Sequence, residues 1–281
     1  MFIPPSELII NADNSVYHLN LLPGEIADTI ITVGDQNRVN LVAQHLDTVH
    51  IEKTNREFKT VTGELGGKPI TIISTGIGTD NIDIVFNELD ALANIDFKTR
   101  EVKSERKSLT FIRIGTSGAI QEDIPLDSFI ISKYALGFDG LLHFYDSEQF
   151  RLPELEQQGS GLFQPYAVAA DEALLLDFKA VGTEGITMTA SGFYGPQSRN
   201  IRLKSRFNYE DYLKLISYQG LKPTNLEMET AGIYGLSKLL GHRAISLNAI
   251  LANRVTNHFS RQPAKTVEKL ISKALEVILR L

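Results

Sequence analysis

Arg113 stands in FIRIGTSGAI, residues 111–120, inside an apolar β-run (Leu109, Phe111, Ile112, Ile114) and just before an expected turn, Gly115-Thr116-Ser117-Gly118. A cation near a core is costly unless an anion pairs with it. Arg38 follows the Val33-Gly34-Asp35 turn, about one helical turn into the next segment. Two guanidiniums, the Thr116 hydroxyl and backbone N–H groups at Gly34 would together suit an oxyanion. Simpler readings stand beside this one: a surface helix position for Arg38, and a buried carboxylate partner for Arg113.

Two further stretches carry reactive or recognising side chains. NLEMETAG, residues 225–232, sets Glu227 and Glu229 on either side of Met228 where an apolar helix is expected to begin. Carboxylates in a cleft accept hydrogen bonds from vicinal sugar hydroxyls. Acids at a helix N-terminus also arise from the helix dipole alone. ASGFYGPQSRN, residues 190–200, places Gln197 and Arg199 after Phe193-Tyr194. Glutamine offers both a donor and an acceptor to an imide edge, and an arginine can donate to a carbonyl oxygen that gains negative charge. A loop built on a Gly-Pro turn accounts for the same spacing.

The elements that must position these groups alternate between strand and helix. Strands are expected at 29–33, 58–65, 69–74, 109–114, 128–132, 185–191 and 243–251. Helices are expected from 35 to 46 and at 79–93, 167–178, 228–240 and 264–281. Residues 146–165 and the arginine-containing 193–206 read as irregular, and 98–107 as a charged loop. Strands interleaved with helices argue one α/β unit around a central sheet, with ligands collecting beyond the carboxyl ends of its strands. No glycine-rich turn fits GxGxxG or GxxxxGK[ST], which argues against dinucleotide and P-loop sites.

Composition removes other classes. The chain has no cysteine among its 281 residues, which excludes thiol nucleophiles, disulfides and cysteine-ligated zinc. Its net charge is −6, and no cluster of Lys and Arg is dense enough to track a nucleic-acid backbone. The most basic stretch, 98–107, is diluted by two glutamates and reads as a solvated loop rather than a nucleic-acid patch. No apolar run approaches the roughly 18 residues of a membrane span, and no secretory leader is evident. A cytoplasmic protein is expected. His143, following Phe138-Asp139-Gly140, has two readings: a place near the cleft, or the structural role commoner for a histidine on an apolar stretch.

Taken together, VYHLNL (16–21), VGDQNRV (33–39), REF (56–58), STGIGTDN (74–81), IRIGTSGAI (112–120), FYGPQSR (193–199), NLEMETAG (225–232) and ILANR (250–254) are collinear. In them the chain resembles the purine and uridine phosphorylase superfamily of nucleoside phosphorylases, in the pattern of its uridine-type members. The resemblance implies a single domain over 1–281, with a central mixed, partly barrel-like β-sheet flanked by helices. It implies phosphorolysis of uridine to uracil and ribose 1-phosphate, with inorganic phosphate as co-substrate and no other cofactor. Gly34, Arg38, Arg113 and Thr116 would hold phosphate, joined by Arg56 from a neighbouring subunit. Glu229, the Met228 backbone and nearby Glu227 would hold the ribose, and His18 of the neighbour would approach its 5′-hydroxyl. Phe193, Gln197 and Arg199 would hold the base, which makes Arg113, Arg199, Gln197 and Glu229 the catalytic set.

A monovalent cation, K+, is implied beside Glu57 and Ser74. A homo-oligomer with shared sites is implied too, a dimer at minimum or a hexamer of three dimers, with no nucleic-acid or membrane partner. Purine members usually carry an aspartate after the strand matching 243–251, whereas this chain has Asn253-Arg254, which favours a pyrimidine. The alternatives are a purine or broad-specificity phosphorylase, and a non-catalytic nucleoside-binding protein. The chain departs from the family pattern at Gln36, at Thr79, in the length of 97–108 and in the basic run 200–206.

Overall fold

A computed structural model describes residues 2–152, 165–206 and 216–281. The first strand, β1 (Thr29–Val33), is an apolar pentapeptide buried on both faces, as a central parallel strand must be. It lies between β4 (Lys68–Ser74) and β7 (Thr110–Ala119), parallel to both. A hairpin of β2 (Thr48–Asn55) and β3 (Phe58–Leu65) extends the sheet beyond β4. On the other side the sheet closes on itself. β7 pairs with β12 (Arg243–Asn253), β12 with β8 (Phe129–Phe138), β8 with β10 (Thr183–Ala190), β10 with β11 (Pro223–Glu227), and β11 returns to β7. The result is a closed five-stranded mixed barrel with an open sheet growing from β7, as the expected fold class requires.

Helices cover this sheet. α1 (Gln36–Ala43) begins at Asp35, whose carboxylate accepts the Arg38 N–H. α2 (Thr79–Asn94) buries Ile82, Val85, Phe86 and Leu89 at helical spacing. α3 (Glu172–Phe178), α4 (Thr230–Leu240) and α5 (Pro263–Ile278) complete the shell. No helix among the described residues is long and apolar enough to cross a membrane.

Several expectations need correction. Gly115-Thr116-Ser117-Gly118 is not a turn: β7 continues through it, because Gly115 to Ala119 pair with β12 and Gly118 also faces Leu226 of β11. Residues 166–169 are strand β9 (Tyr166–Ala169) on β8, and the helix starts only after Asp171 caps it through Leu174 N. The helix expected from Met228 begins at Thr230, preceded by strand β11. β2, unassigned from sequence, is an edge strand with little apolar alternation. The expected loop at 98–107 carries a two-residue strand, β6 (Glu101–Val102), against β5 (Ile95–Asp96). Of the irregular stretch expected at 146–165, residues 153–164 lie outside the described residues, and Glu148–Phe150 forms a turn of 3-10 helix.

The barrel wall is tight where β9 crosses β8. A Cβ on Gly137 would stand 2.1 Å from the buried Tyr166 ring. Gly137→Ala is therefore expected to cost about 1–3 kcal/mol of stability by overpacking. Urea denaturation checks this through a lowered midpoint at unchanged slope.

Candidate active site

Arg113 is 6% exposed, and its partners are protein groups on three different elements. Nη2 lies 2.8 Å from Glu227 Oε2 and 2.7 Å from Glu229 Oε2. Nη1 donates to Asn248 Oδ1 at 2.9 Å and to Ser246 Oγ at 3.4 Å, both on β12. The guanidinium folds back over Gly115, where a Cβ would stand 1.9 Å from Nη1, so only glycine fits there. Burial works to lower the Arg113 pKa, but Glu227 and Glu229 carry it above the ordinary guanidinium value. In this structure the anions paired with Arg113 are thus two carboxylates, the simpler of the two readings of its sequence context.

The two carboxylates differ in work. Glu227, last in β11, accepts the Thr189 hydroxyl at 2.6 Å and the backbone N–H groups of Glu229 and Thr230. It therefore caps α4 and holds Arg113 at once. Glu229 accepts Gly78 N at 2.8 Å through Oε1 and Arg113 through Oε2. Burial pushes its carboxyl above the ordinary range, against the pull of Arg113.

Arg38 reaches the same region from α1. Its Nη2 lies 3.0 Å from Asp35 Oδ2, and Nη1 is 3.4 Å from the Ile114 carbonyl. Burial lowers its pKa, with Asp35 opposing. The loop after β10 supplies the opposite end. Gln197 is 3% exposed, in a single 3-10 turn Gly195–Gln197. Arg199 Nη1 donates to Gln197 Oε1 and to the Phe193 carbonyl at 2.7 Å, and its guanidinium stacks 3.8 Å from the Phe193 ring centre. Burial, then the neighbouring charge of Arg254, pushes the Arg199 pKa down to about 10, so it stays charged at neutral pH.

One cavity of about 370 Å³ collects these groups: Gly34, Arg38, Arg113 and Thr116 from one side, Glu227, Met228 and Glu229 from another, and Phe193, Gln197 and Arg199 from a third. A larger groove of about 690 Å³ runs along residues 194–206 and shares Arg199 with it, but its walls come from one loop. The sequence reading did not assign Arg254 a role. Its Nη2 donates to the Gln197 carbonyl at 2.6 Å and so props the loop from the end of β12. The only hint was its place directly after that strand.

Four expected site residues, His18, Arg56, Glu57 and Ser74, lie outside the cavity of their own chain. His18 Nδ1 is 2.6 Å from Glu88 Oε1, and its carbonyl accepts Asn55 Nδ2 at 2.8 Å. Arg56 has φ of +55°, lies 5.5 Å from the Tyr17 ring centre, and its carbonyl accepts Gln36 Nε2. His18 and Arg56 thus cluster with the β2–β3 connection. Ser74 Oγ accepts Lys59 N and donates to the Glu57 carbonyl, which leaves that hydroxyl one lone pair for a cation. His143 stacks edge-on against Tyr166 at 6.4 Å, behind the barrel wall.

Comparison with known proteins places this geometry. Residues 28–281 match the family model described as the phosphorylase superfamily. Uridine phosphorylase of Thermococcus kodakarensis is 30% identical, covering 93% of this chain and 86% of its own. Uridine phosphorylase of Haemophilus influenzae is also 30% identical, covering 95% and 96%. Among solved structures, a Trypanosoma brucei nucleoside phosphorylase described as showing uridine phosphorylase activity superposes with a TM-score of 0.87 at 27% identity, over 98% of this chain and 100% of its own. The chain belongs to the phosphorylase superfamily.

Proposed function

We propose that this chain is a pentosyltransferase that reversibly cleaves the N-glycosidic bond of uridine with inorganic phosphate, giving uracil and ribose 1-phosphate. The observation that carries the reading is the single cavity whose three sides match the three parts of the reaction. Arg38, Thr116, the Gly34 backbone and the inner edge of Arg113 form a cationic end for phosphate. Glu229, with the Met228 backbone and Glu227 beside it, takes the ribose hydroxyls. Phe193, Gln197 and Arg199 take the base.

Phosphorolysis runs through a ribosyl cation-like transition state. The C1′–N1 electron pair leaves with uracil, and a phosphate oxygen forms the new bond to C1′. Orientation of a charged nucleophile beneath the sugar and donors at the departing base supply the acceleration. Arg113 is shared with two carboxylates and Arg38 with Asp35, so Arg38 answers the phosphate charge together with Arg56 of a neighbouring copy. Gln197 and Arg199 stabilise the uracil anion at its carbonyl oxygens.

A purine reading draws on a purine nucleoside phosphorylase DeoD-type of Brevibacillus brevis, 28% identical over 93% of this chain. The end of β12 speaks against it. Asn253 is spent on backbone groups, donating to Gln121 and Ile124 carbonyls and accepting Val255 and Thr256 N–H, so no acid stands there to protonate a purine nitrogen. The clustering of His18 and Arg56 on a surface away from their own cavity supports a homo-oligomer in which each completes a neighbour's site. The same family reading seats a monovalent cation beside Glu57 and Ser74.

Uracil release followed by absorbance should require phosphate, with inosine inert beside it. Release from inosine alone would discard the base-site roles, and release without phosphate would make the enzyme a hydrolase. Arg38→Ala should raise the KM for phosphate by about tenfold or more while folding is preserved. Arg113→Ala strands two buried carboxylates and should also cost about 3–5 kcal/mol of stability, read by thermal melting. Glu229→Ala should weaken uridine more than 2′-deoxyuridine, and equal losses would sink the diol role. Arg199→Ala should lower kcat by about 10²–10³ with a smaller change in KM.

A further inference from the structure

Glu88 is a buried acid, 8% exposed, in the middle of α2, and it takes no part in lining the cavity. Its side-chain hydrogen bonds go to the segment that carries His18. The His18 N–H donates to both of its oxygens, at 2.9 and 3.1 Å, and the Leu19 N–H donates to Oε2 at 2.8 Å. His18 Nδ1 stands 2.6 Å from Oε1. A buried carboxylate is costly without donors, and here a stretch 70 residues away in sequence supplies them.

These contacts fix more than position. An ionised carboxylate can only accept, so Nδ1 carries a hydrogen that points at Glu88. In a neutral imidazole the other nitrogen, Nε2, is then left with a lone pair and no hydrogen. The ring cannot exchange its two nitrogens without giving up the Glu88 contact. Its surroundings hold it further: the His18 carbonyl accepts Asn55 Nδ2 at 2.8 Å, and the Tyr17 ring stands edge-on at 4.8 Å. The His18 side chain is nonetheless 30% exposed, against 10% for Glu88. α2 buries Ile82, Val85, Phe86 and Leu89, so the acid rides on a helix that the core holds in place.

We propose that Glu88 is a positioning residue that fixes His18 as its Nδ1-protonated tautomer, so that Nε2 meets the sugar's 5′ position as an acceptor and selects nucleosides that donate a hydrogen bond there. The proposal rests on the reading of His18 as a neighbouring copy's ligand for the 5′-hydroxyl. A hydroxyl can donate to such a nitrogen, and so can a 5′-ammonium group, whereas a 5′-methyl group cannot. Glu88→Gln reverses the arrangement. Its amide oxygen still accepts the Leu19 and His18 N–H groups, and its NH2 then faces Nδ1 and donates to it. The ring proton moves to Nε2, which becomes a donor. A hydroxyl answers by turning round to accept, but an ammonium group has no lone pair to offer.

The test has a spectroscopic arm and a kinetic arm. With the six histidines labelled in 15N, the His18 ring nitrogens are assigned by their loss in His18→Gln and recorded at mildly alkaline pH. The wild-type ring should be protonated at Nδ1 alone, and Glu88→Gln should move the proton to Nε2. Kinetics compare uridine, 5′-deoxyuridine and 5′-amino-5′-deoxyuridine at neutral pH and saturating phosphate. In the wild type the 5′-deoxy compound should show a KM about tenfold above uridine, and the amine should stay within about threefold of it. Glu88→Gln should raise the amine-to-uridine KM ratio by about tenfold and leave the 5′-deoxy-to-uridine ratio at or below its wild-type value. A wild-type ring protonated at Nε2, an unchanged amine-to-uridine ratio, or an equal rise for all three nucleosides would each overturn the proposal. If Glu88→Gln does not fold, the wild-type spectrum and the wild-type ranking of the three nucleosides decide it. If the wild type shows no phosphate-dependent release from uridine, the reaction reading fails separately. The ring spectrum needs no turnover, and calorimetric binding of the same three nucleosides then replaces KM, where equal affinities or no binding refutes the selection.

Discussion

The pairing of Arg113 with Glu227 and Glu229 is the constraint around which the rest of the site is built. One buried cation between two buried carboxylates is tolerable only if most of the remaining donors and acceptors are met, because little water reaches them. The barrel meets them: β12 offers Asn248 and Ser246 to Nη1, β10 offers Thr189 to Glu227, and the start of α2 offers Gly78 to Glu229. Strand closure and helix placement are thus tied to the charge arrangement. A shift in any of these elements would cost a buried charge one of its hydrogen bonds.

The same logic explains why Gly115 and Glu227 hold two roles each. Gly115 is a strand residue opposite Asn248 in the barrel ladder, yet it also leaves the space that the Arg113 guanidinium occupies. Glu227 ends a strand, caps a helix and neutralises a cation through one carboxylate. Such double use ties Arg113 and the proposed ribose carboxylates into one barrel wall, and orientation there matters to the reaction.

Much of this was legible in the residues, for identifiable reasons. Buried parallel strands such as 29–33 announce themselves as apolar runs, and the arginine inside 111–114 announced a paired charge. What misled was punctuation. Gly115-Thr116-Ser117-Gly118 has turn composition, but its glycines serve close packing within a strand, a tertiary demand that local pattern cannot express. Met228-Glu229 has helical spacing, but Glu227 satisfies the first N–H groups from the strand side, so the helix starts later.

The base end is built by a different principle, and that difference governs how the molecule can change. Phe193, Gln197 and Arg199 belong to one loop, held to the barrel by the Arg254 contact to the Gln197 carbonyl and by bonds within the loop itself. Substituting there disturbs at most the half-buried charge of Arg199, whereas substituting at Arg113 or Glu229 disturbs several charges. A proposed ribose site locked into the barrel, joined to a proposed base site carried on a loop, would allow the base to be exchanged over an unchanged sugar chemistry. On that reading the residues proposed to hold the sugar are those the fold cannot spare, and the residues proposed to hold the base are those it can.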